Sequence, residues 1–125
     1  MIGVKQIACG ASHTALLLNN GQVYTCGNNT YGQLGNGTNS NVFKIINPNV
    51  GKVIQISCGN AHTALLLNNG QVYTCGINIK GQLGRITNSN VFNPEFKMID
   101  RLNIKNTKLY LLSIGCTSAS VFVLY

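Results

Sequence analysis

A run of fifteen residues occurs twice in this chain without a change, and that repetition limits what the chain can fold into. His13-Thr14-Ala15-Leu16-Leu17-Leu18-Asn19-Asn20-Gly21-Gln22-Val23-Tyr24-Thr25-Cys26-Gly27 recurs as His62 to Gly76. Displacing the chain by 49 residues lays Val4 to Phe43 on Val53 to Phe92, with 31 identities in 40 positions. A single core has no use for such repetition, whereas a stack of like units that bury one another's faces requires it. A weaker third copy begins at Ile114, 58 residues after Ile56, with Thr117 in place of the repeat glycine and Ser120 in place of the histidine. The organisation expected is a first unit over 1–49, a second over 50–98 and a degenerate partial third over 99–125.

Within a unit the residues read as strand after strand. Val4 to Cys9 alternates, and Thr14 to Leu18 is a compact apolar run. Asn20-Gly21 predicts a two-residue type I′ hairpin turn, with Val23 to Cys26 as the return strand. Gly32-Gln33-Leu34-Gly35-Asn36-Gly37 is a glycine-rich loop, and Val42 to Ile46 makes a fourth strand ended by Pro48. Four short strands in about fifty residues is the pattern of a propeller blade. Apolar spacing of three and four over ten or more residues, which a helical solenoid needs, is absent. The fold class is therefore all-β, a partial β-propeller of about two four-stranded antiparallel blades that does not close a ring on its own.

Charge narrows the function classes. Of 125 residues nine are Lys or Arg and two are acidic, Glu95 and Asp100, for a net charge of +7. An acidic protein surface or nucleic acid is a permissible partner. The basic residues are scattered, however, and no basic run is interleaved with aromatics, so nucleic acid is the weaker expectation. Lys97, Arg101, Lys105 and Lys108 fall at helix-like spacing but lack an opposing apolar face, and they read as a solvated blade edge. The first twenty residues lack the apolar run of a secretory signal, and no apolar run spans a bilayer, so an intracellular place (cytoplasm or nucleus) is expected. Five cysteines then read as reduced thiols.

The ordered motifs resemble those of the regulator of chromosome condensation repeat family. In the first unit they are Cys9-Gly10-Ala11-Ser12-His13, the strand Leu16-Leu17-Leu18, Asn20-Gly21-Gln22-Val23-Tyr24, Cys26-Gly27 and Tyr31-Gly32-Gln33-Leu34-Gly35-Asn36-Gly37. The second unit matches through Gly59, His62, Gly70, Gly76 and Gly81-Gln82-Leu83-Gly84. The family usually places an aromatic where Cys26 and Cys75 stand, and Arg85-Ile86 replace the Asn36-Gly37 of the first unit. The resemblance implies a propeller that closes with seven blades, or roughly 350 residues at 49 each. A two-blade piece leaves one apolar face bare at each end, so self-association, or a place in a longer protein, is expected.

Catalysis finds little support. Cys9-x3-His13 and Cys58-x3-His62 have zinc-ligand residue types, but a Cys2His2 site would require the pairs to converge from separate blades. In the family this histidine is a structural residue that ties loop backbone together, and that reading suits His13 and His62 better. Cys26 and Cys75 lie on strands without a nearby acid to frame a nucleophile, and Glu95 and Asp100 do not make a paired-carboxylate site. No phosphate-cradling motif is present. The chain is expected not to be an enzyme and to need no metal or cofactor. A protein-interaction or regulatory module is the main expectation, with Tyr31, Asn36 and Arg85 as possible partner contacts in exposed loops where the units differ. Two alternatives stand beside it: guanine-nucleotide exchange on a small Ran-like GTPase, as the founding member of the family implies, and a truncated repeat fragment without function.

Overall fold

The computed structural model describes residues 3–37, 39–46, 50–69 and 71–77, together with the backbone of strands at 97–98, 110–114 and 121–124. The first repeat is an antiparallel meander of β1 (Val4–Cys9), β2 (His13–Leu18), β3 (Val23–Gly27) and β4 (Ser40–Ile45), adjacent in that order. The second repeats it with β5 (Val53–Cys58), β6 (His62–Leu67), β7 (Val72–Gly76) and the two-residue β8 (Lys97–Met98). A two-stranded sheet of β9 (Tyr110–Ile114) and β10 (Val121–Leu124) follows, with β9 lying against β5 and β6. The chain is thus all-β with two four-stranded blades and an open arrangement, and β9 includes the Tyr110-Leu111-Leu112 run.

One expected turn differs. Leu18 and Gln22 close the first hairpin, with Leu18 N–H donating to the Gln22 carbonyl at 2.9 Å and Gly21 N–H donating back to the Leu18 carbonyl at 2.9 Å. That is a three-residue loop, Asn19-Asn20-Gly21, in which Gly21 takes the left-handed position at φ 87°. A β-turn followed by a glycine bulge has replaced the two-residue type I′ turn. The Asn20 side chain explains the choice: its Oδ1 accepts from Gln22 N–H at 3.0 Å and its Nδ2 donates to Gln22 Oε1 at 2.9 Å. Asn69 and Gln71 repeat both bonds in the second hairpin.

Strand alternation gives each blade two faces. On the A face of blade 2, Ile56, Leu65 and Tyr73 form one cross-strand row and Cys58, Thr63 and Cys75 another. On the B face of blade 1 stand Ala8, Ala15 and Thr25 in one row and Gln6, Leu17 and Val23 in the next. These two faces meet, and Ala15, Leu17, Val23, Ile56, Leu65, Leu67 and Cys75 share one buried cluster. From β1, the Gln6 side chain completes the seam. Its Nε2 donates to the Ile56 carbonyl at 2.8 Å, and Ile56 N–H donates to its Oε1 at 2.9 Å.

The same six residues therefore meet two environments. His-Thr-Ala-Leu-Leu-Leu alternates between buried and half-buried in β2 but is buried throughout in β6. Blade 2 is covered on both sides, its B face burying Ala64, Leu66, Val72 and Thr74. Two bare faces were expected from the repeat count. Among the described residues only the A face of blade 1 is open, because the B face of blade 2 is buried and β9 lies against the strands that form it. Leu65→Ala should accordingly cost about 2–5 kcal/mol in urea denaturation, as expected for a core leucine, and Leu16→Ala, at the same repeat position, less than half as much.

Candidate functional site

The repeat motif's polar residues converge where the two blades join. Thr63 lies at the centre of the junction. Its hydroxyl donates to the Gln33 carbonyl at 2.7 Å and stands 2.9 Å from His13 Nε2. A hydroxyl has one proton, and Gln33 takes it, so His13 must donate from Nε2. Cys75 Sγ donates to the same Gln33 carbonyl at 3.4 Å, and Cys58 Sγ approaches Thr63 Oγ1 at 4.0 Å. The Gly32-Gln33-Leu34-Gly35 loop of blade 1 thereby reaches into blade 2.

The loop is held equally firmly on its own side. Thr25 Oγ1 donates to the Leu34 carbonyl at 2.6 Å, and Leu34 N–H donates to Asn29 Oδ1 at 2.8 Å. Tyr31 N–H donates to Gln33 Oε1 at 3.0 Å, and Gln33 Nε2 donates to Asn28 Oδ1 at 3.4 Å. Gly32 and Gly35 both take positive φ, and Gln33 and Leu34 are buried. Gly27 sits at φ 114°, and a Cβ there would lie 2.5 Å from the Ser12 carbonyl; Gly76 meets Ala61 and His62 in the same way. Gly10 packs under the His13 ring, so any side chain at that position would strike the imidazole.

Asn36, expected in an exposed loop, is half-buried and donates its amide to Thr25 Oγ1 at 3.3 Å, so it supports the clasp. Gly37 beside it has φ 91°, a conformation that disfavours a β-branched residue such as the Ile86 of the second unit. Tyr31 is 43% exposed. Gly70, Gly81, Gln82, Leu83, Gly84 and Arg85 lie outside the described residues, as do Glu95, Asp100, Arg101, Lys105 and Lys108. Sequence reasoning missed Thr63, Asn29 and Gln6. All three are polar residues that end up buried or half-buried, and for Thr63 the unchanged repeat of Thr beside each histidine was the available signal.

Electrostatically the junction is neutral. Burial pushes the His13 imidazole down to about 4, against a smaller opposing pull from the His62 backbone. Burial and the charge of His13 push His62 down to about 4 as well. Neither ring nitrogen of His62 meets a hydrogen-bond partner among the described residues. In the third copy of the motif, Val121 occupies the sequence position of Thr63 and has no hydroxyl to offer. Burial pushes the Cys58 thiol up to about 12, away from the thiolate a metal or a nucleophile would need. Among the described residues no three His, Cys, Asp or Glu side chains gather as metal ligands. Cys9, Cys26, Cys58 and Cys75 are free thiols.

Beside the clasp, at the loop end of the blades, lies a groove of about 270 Å³ lined by Ala11, Ser12, Asn28, Thr30, Tyr31, Gln33, Asn60 and Ala61. Its walls carry amides, hydroxyls and one aromatic ring and no charged side chain. The Ala11 N–H bond to the Asn60 carbonyl, 3.0 Å long, joins its two sides.

Comparison with known proteins agrees with this geometry. Models of the Regulator of chromosome condensation (RCC1) repeat match residues 20–66 and 69–107, and again 4–33 and 53–82. Probable E3 ubiquitin-protein ligase HERC3 of Homo sapiens is 62% identical over 32 residues, which are 26% of this chain and 3% of that protein. The secretion-regulating guanine nucleotide exchange factor of Bos taurus is 53% identical over 32 residues, again 26% of this chain and 7% of that one. The structure of Prp20p from Saccharomyces cerevisiae, described with its binding properties to Gsp1p and histones, superposes with a TM-score of 0.77 at 18% identity. That superposition covers 98% of this chain and 30% of Prp20p. The chain thus spans less than a third of that propeller and a few per cent of the two curated relatives.

Two outcomes follow from the clasp. Thr63→Val leaves His13 Nε2 buried without a partner and the Gln33 carbonyl with only the weak Cys75 thiol donor, and should cost about 1–3 kcal/mol in chemical denaturation. Stability should also depend on pH. Both histidines bind protons near 6.5 when unfolded and near 4 when folded, so between those values the unfolded chain holds more protons. Their contribution is full above pH 6.5 and is lost as the pH falls toward 4. At pH 5 the loss should be on the order of 2 kcal/mol per histidine. Urea denaturation at pH 7 and pH 5 measures it, and His62→Gln should reduce the difference.

Proposed function

This chain belongs to the Regulator of chromosome condensation (RCC1) repeat family, and we propose that it serves as a protein-interaction or regulatory module of that propeller type and not as an enzyme. The observation that carries this reading is the groove at the loop end. It joins an exposed tyrosine to the amides of Asn28, Gln33 and Asn60. Aromatic rings set among uncharged hydrogen-bonding groups are what protein partners favour at the centre of an interface. The clasp beneath fixes the groove, because Gln33 bonds to blade 2 through its carbonyl and to the Tyr31 backbone through its side chain. The binding of Prp20p to Gsp1p and histones supports a protein as the partner. An intracellular place is proposed with it, where free thiols such as Cys9, Cys26, Cys58 and Cys75 stay reduced.

Guanine-nucleotide exchange on a small Ran-like GTPase is the second reading, favoured by the 32-residue match to the secretion-regulating exchange factor. The groove itself offers no carboxylate to compete for a nucleotide's magnesium ion. Release of a fluorescent guanine nucleotide from such a GTPase, measured with and without this chain, separates the two readings.

The interaction reading is tested by a photo-crosslinking residue at position 31, with position 42 of the exposed β4 as the control. A discrete protein adduct formed from position 31 alone, and suppressed by excess unlabelled chain, is the expected result. Tyr31→Ala should then weaken binding of the captured protein on the order of tenfold. Equal adducts from both positions, or none from either, would count against a partner at this groove.

A further inference from the structure

The two units differ at nine of the 40 positions that align, and the differences are not spread evenly. Five of them, Ala11, Ser12, Asn28, Thr30 and Tyr31, line the groove at the loop end. Their counterparts in the second unit are Asn60, Ala61, Ile77, Ile79 and Lys80. Asn60 and Ala61 line the same groove from its other side. In the clasp beneath, by contrast, the histidine, both threonines, Asn29 and Gln33 keep their identity in both units. The wall of Asn28, Thr30 and Tyr31 is therefore particular to this junction, since the second unit has two isoleucines and a lysine in its place.

The hydrogen-bonding groups of this wall are unspent. Asn28 Oδ1 accepts from Thr30 N–H at 2.8 Å and from Gln33 Nε2 at 3.4 Å, which leaves its Nδ2 over. That nitrogen, the Ser12, Thr30 and Tyr31 hydroxyls and the Asn60 carboxamide make no hydrogen bond among the described residues. Hydroxyls and carboxamides both donate and accept, so the ligand that satisfies them carries closely spaced groups of the same dual kind. No carboxylate lines the groove to hold a cation, and no Lys or Arg lines it to hold an anion. A charged ligand would lose its hydration there without an ion to pair with, which selects a neutral one. Tyr31, 43% exposed at the rim, adds an aromatic face on which C–H groups pack. Neutral charge, adjacent hydroxyls and a C–H face together describe a pyranose sugar. We propose that the groove binds one neutral pyranose ring, a hexose or an N-acetylhexosamine. The carboxamides of Asn28 and Asn60 and the hydroxyls of Ser12 and Thr30 meet its hydroxyls, and Tyr31 stacks on its C–H face.

Size agrees with a single ring. At about 270 Å³ the groove falls below the roughly 300–1,000 Å³ of sites that hold drug-sized ligands. An extended peptide is the competing occupant, but its side chains leave on alternate sides, so few of its polar groups reach one small groove together. A sugar ring presents several hydroxyls along one edge. The proposal goes beyond the interaction reading and does not depend on it, because it holds for a free sugar and for one carried on a protein.

Titration of the whole chain with glucose, galactose and N-acetylglucosamine, followed through amide chemical shifts, tests the site. At least one of the three should give saturable shifts at Ser12, Thr30 and Asn60, with a dissociation constant on the order of 1 mM. Glucuronate and glucosamine, their charged counterparts, should bind on the order of tenfold more weakly in physiological salt. Ser12→Ala, Thr30→Ile and Tyr31→Lys give each wall residue the identity of its counterpart in the second unit, and their side chains make none of the clasp's bonds. Combined, they should weaken sugar binding about tenfold or more and move the melting temperature by less than about 2 °C. The proposal is overturned if none of the neutral sugars shifts the groove amides, if glucuronate binds more tightly than they do, or if the triple variant binds as before. A serine peptide bearing O-linked N-acetylglucosamine, set against the bare peptide, distinguishes the sources. Tighter binding of the glycosylated peptide than of the free sugar supports a sugar carried on a protein, and equal binding of the two supports a free one. Equal shifts from the bare peptide would show that a peptide fills the groove, which overturns the sugar site and leaves the interaction reading standing.

Discussion

Taking a polar group out of water is costly unless it finds a hydrogen-bond partner, and at the centre of the junction between the blades the Thr63 hydroxyl finds two. Thr63 is fully buried in an apolar seam, with its hydroxyl accepting from His13 and donating to Gln33. The bond to Gln33 fixes the loop from the first blade, and the bond to His13 fixes the tautomer of a histidine that burial keeps neutral. Apolar faces alone slide over one another with little change in buried area. A hydroxyl with two directional partners on the opposite blade does not permit sliding, so the seam acquires a register.

The glycines and amides of the motif follow from that register. Gly10 leaves room for the imidazole, and Gly27 lets its strand end run against the Ser12 carbonyl. Asn29, Thr25 and Asn36 hold the loop from below so that Gln33 presents its carbonyl outward to the next blade. A motif that reads along the chain as scattered polar residues and glycines is, in space, one hydrogen-bonded assembly spanning two repeats. Its groups are committed to structure, whereas the Tyr31 ring at the edge of the groove is exposed.

Much of this was legible in the residues. The 49-residue identity specified like units, and the alternation of Val4 to Cys9 and the run before Asn20-Gly21 placed β1, β2 and β3 within a residue of where they lie. The hairpin was legible but its turn was not. Asn20-Gly21 is compatible with two loop lengths, and the bonds from Asn20 to Gln22 select the longer one. For the candidate site, the histidines, glycines and Gly-Gln-Leu-Gly loop could be picked out, whereas Thr63 was marked only by its unchanged place beside the histidine. Asn36 was read as exposed because it sits in a loop, yet the Thr25 hydroxyl draws it inward. Tyr31 alone of the loop residues singled out from the described part of the chain stands clear of the clasp.

The sequence by itself determined the unit: four strands, their order, the turn residues and the apolar period all arise from local chemistry that each repeat carries in full. Only the tertiary structure decided what each unit's faces do. His-Thr-Ala-Leu-Leu-Leu is buried at every second residue in β2 and throughout in β6 although the letters are the same. Burial belongs to a pair of surfaces and not to a residue, so two identical sequences differ as soon as one has a neighbour on both sides and the other on one.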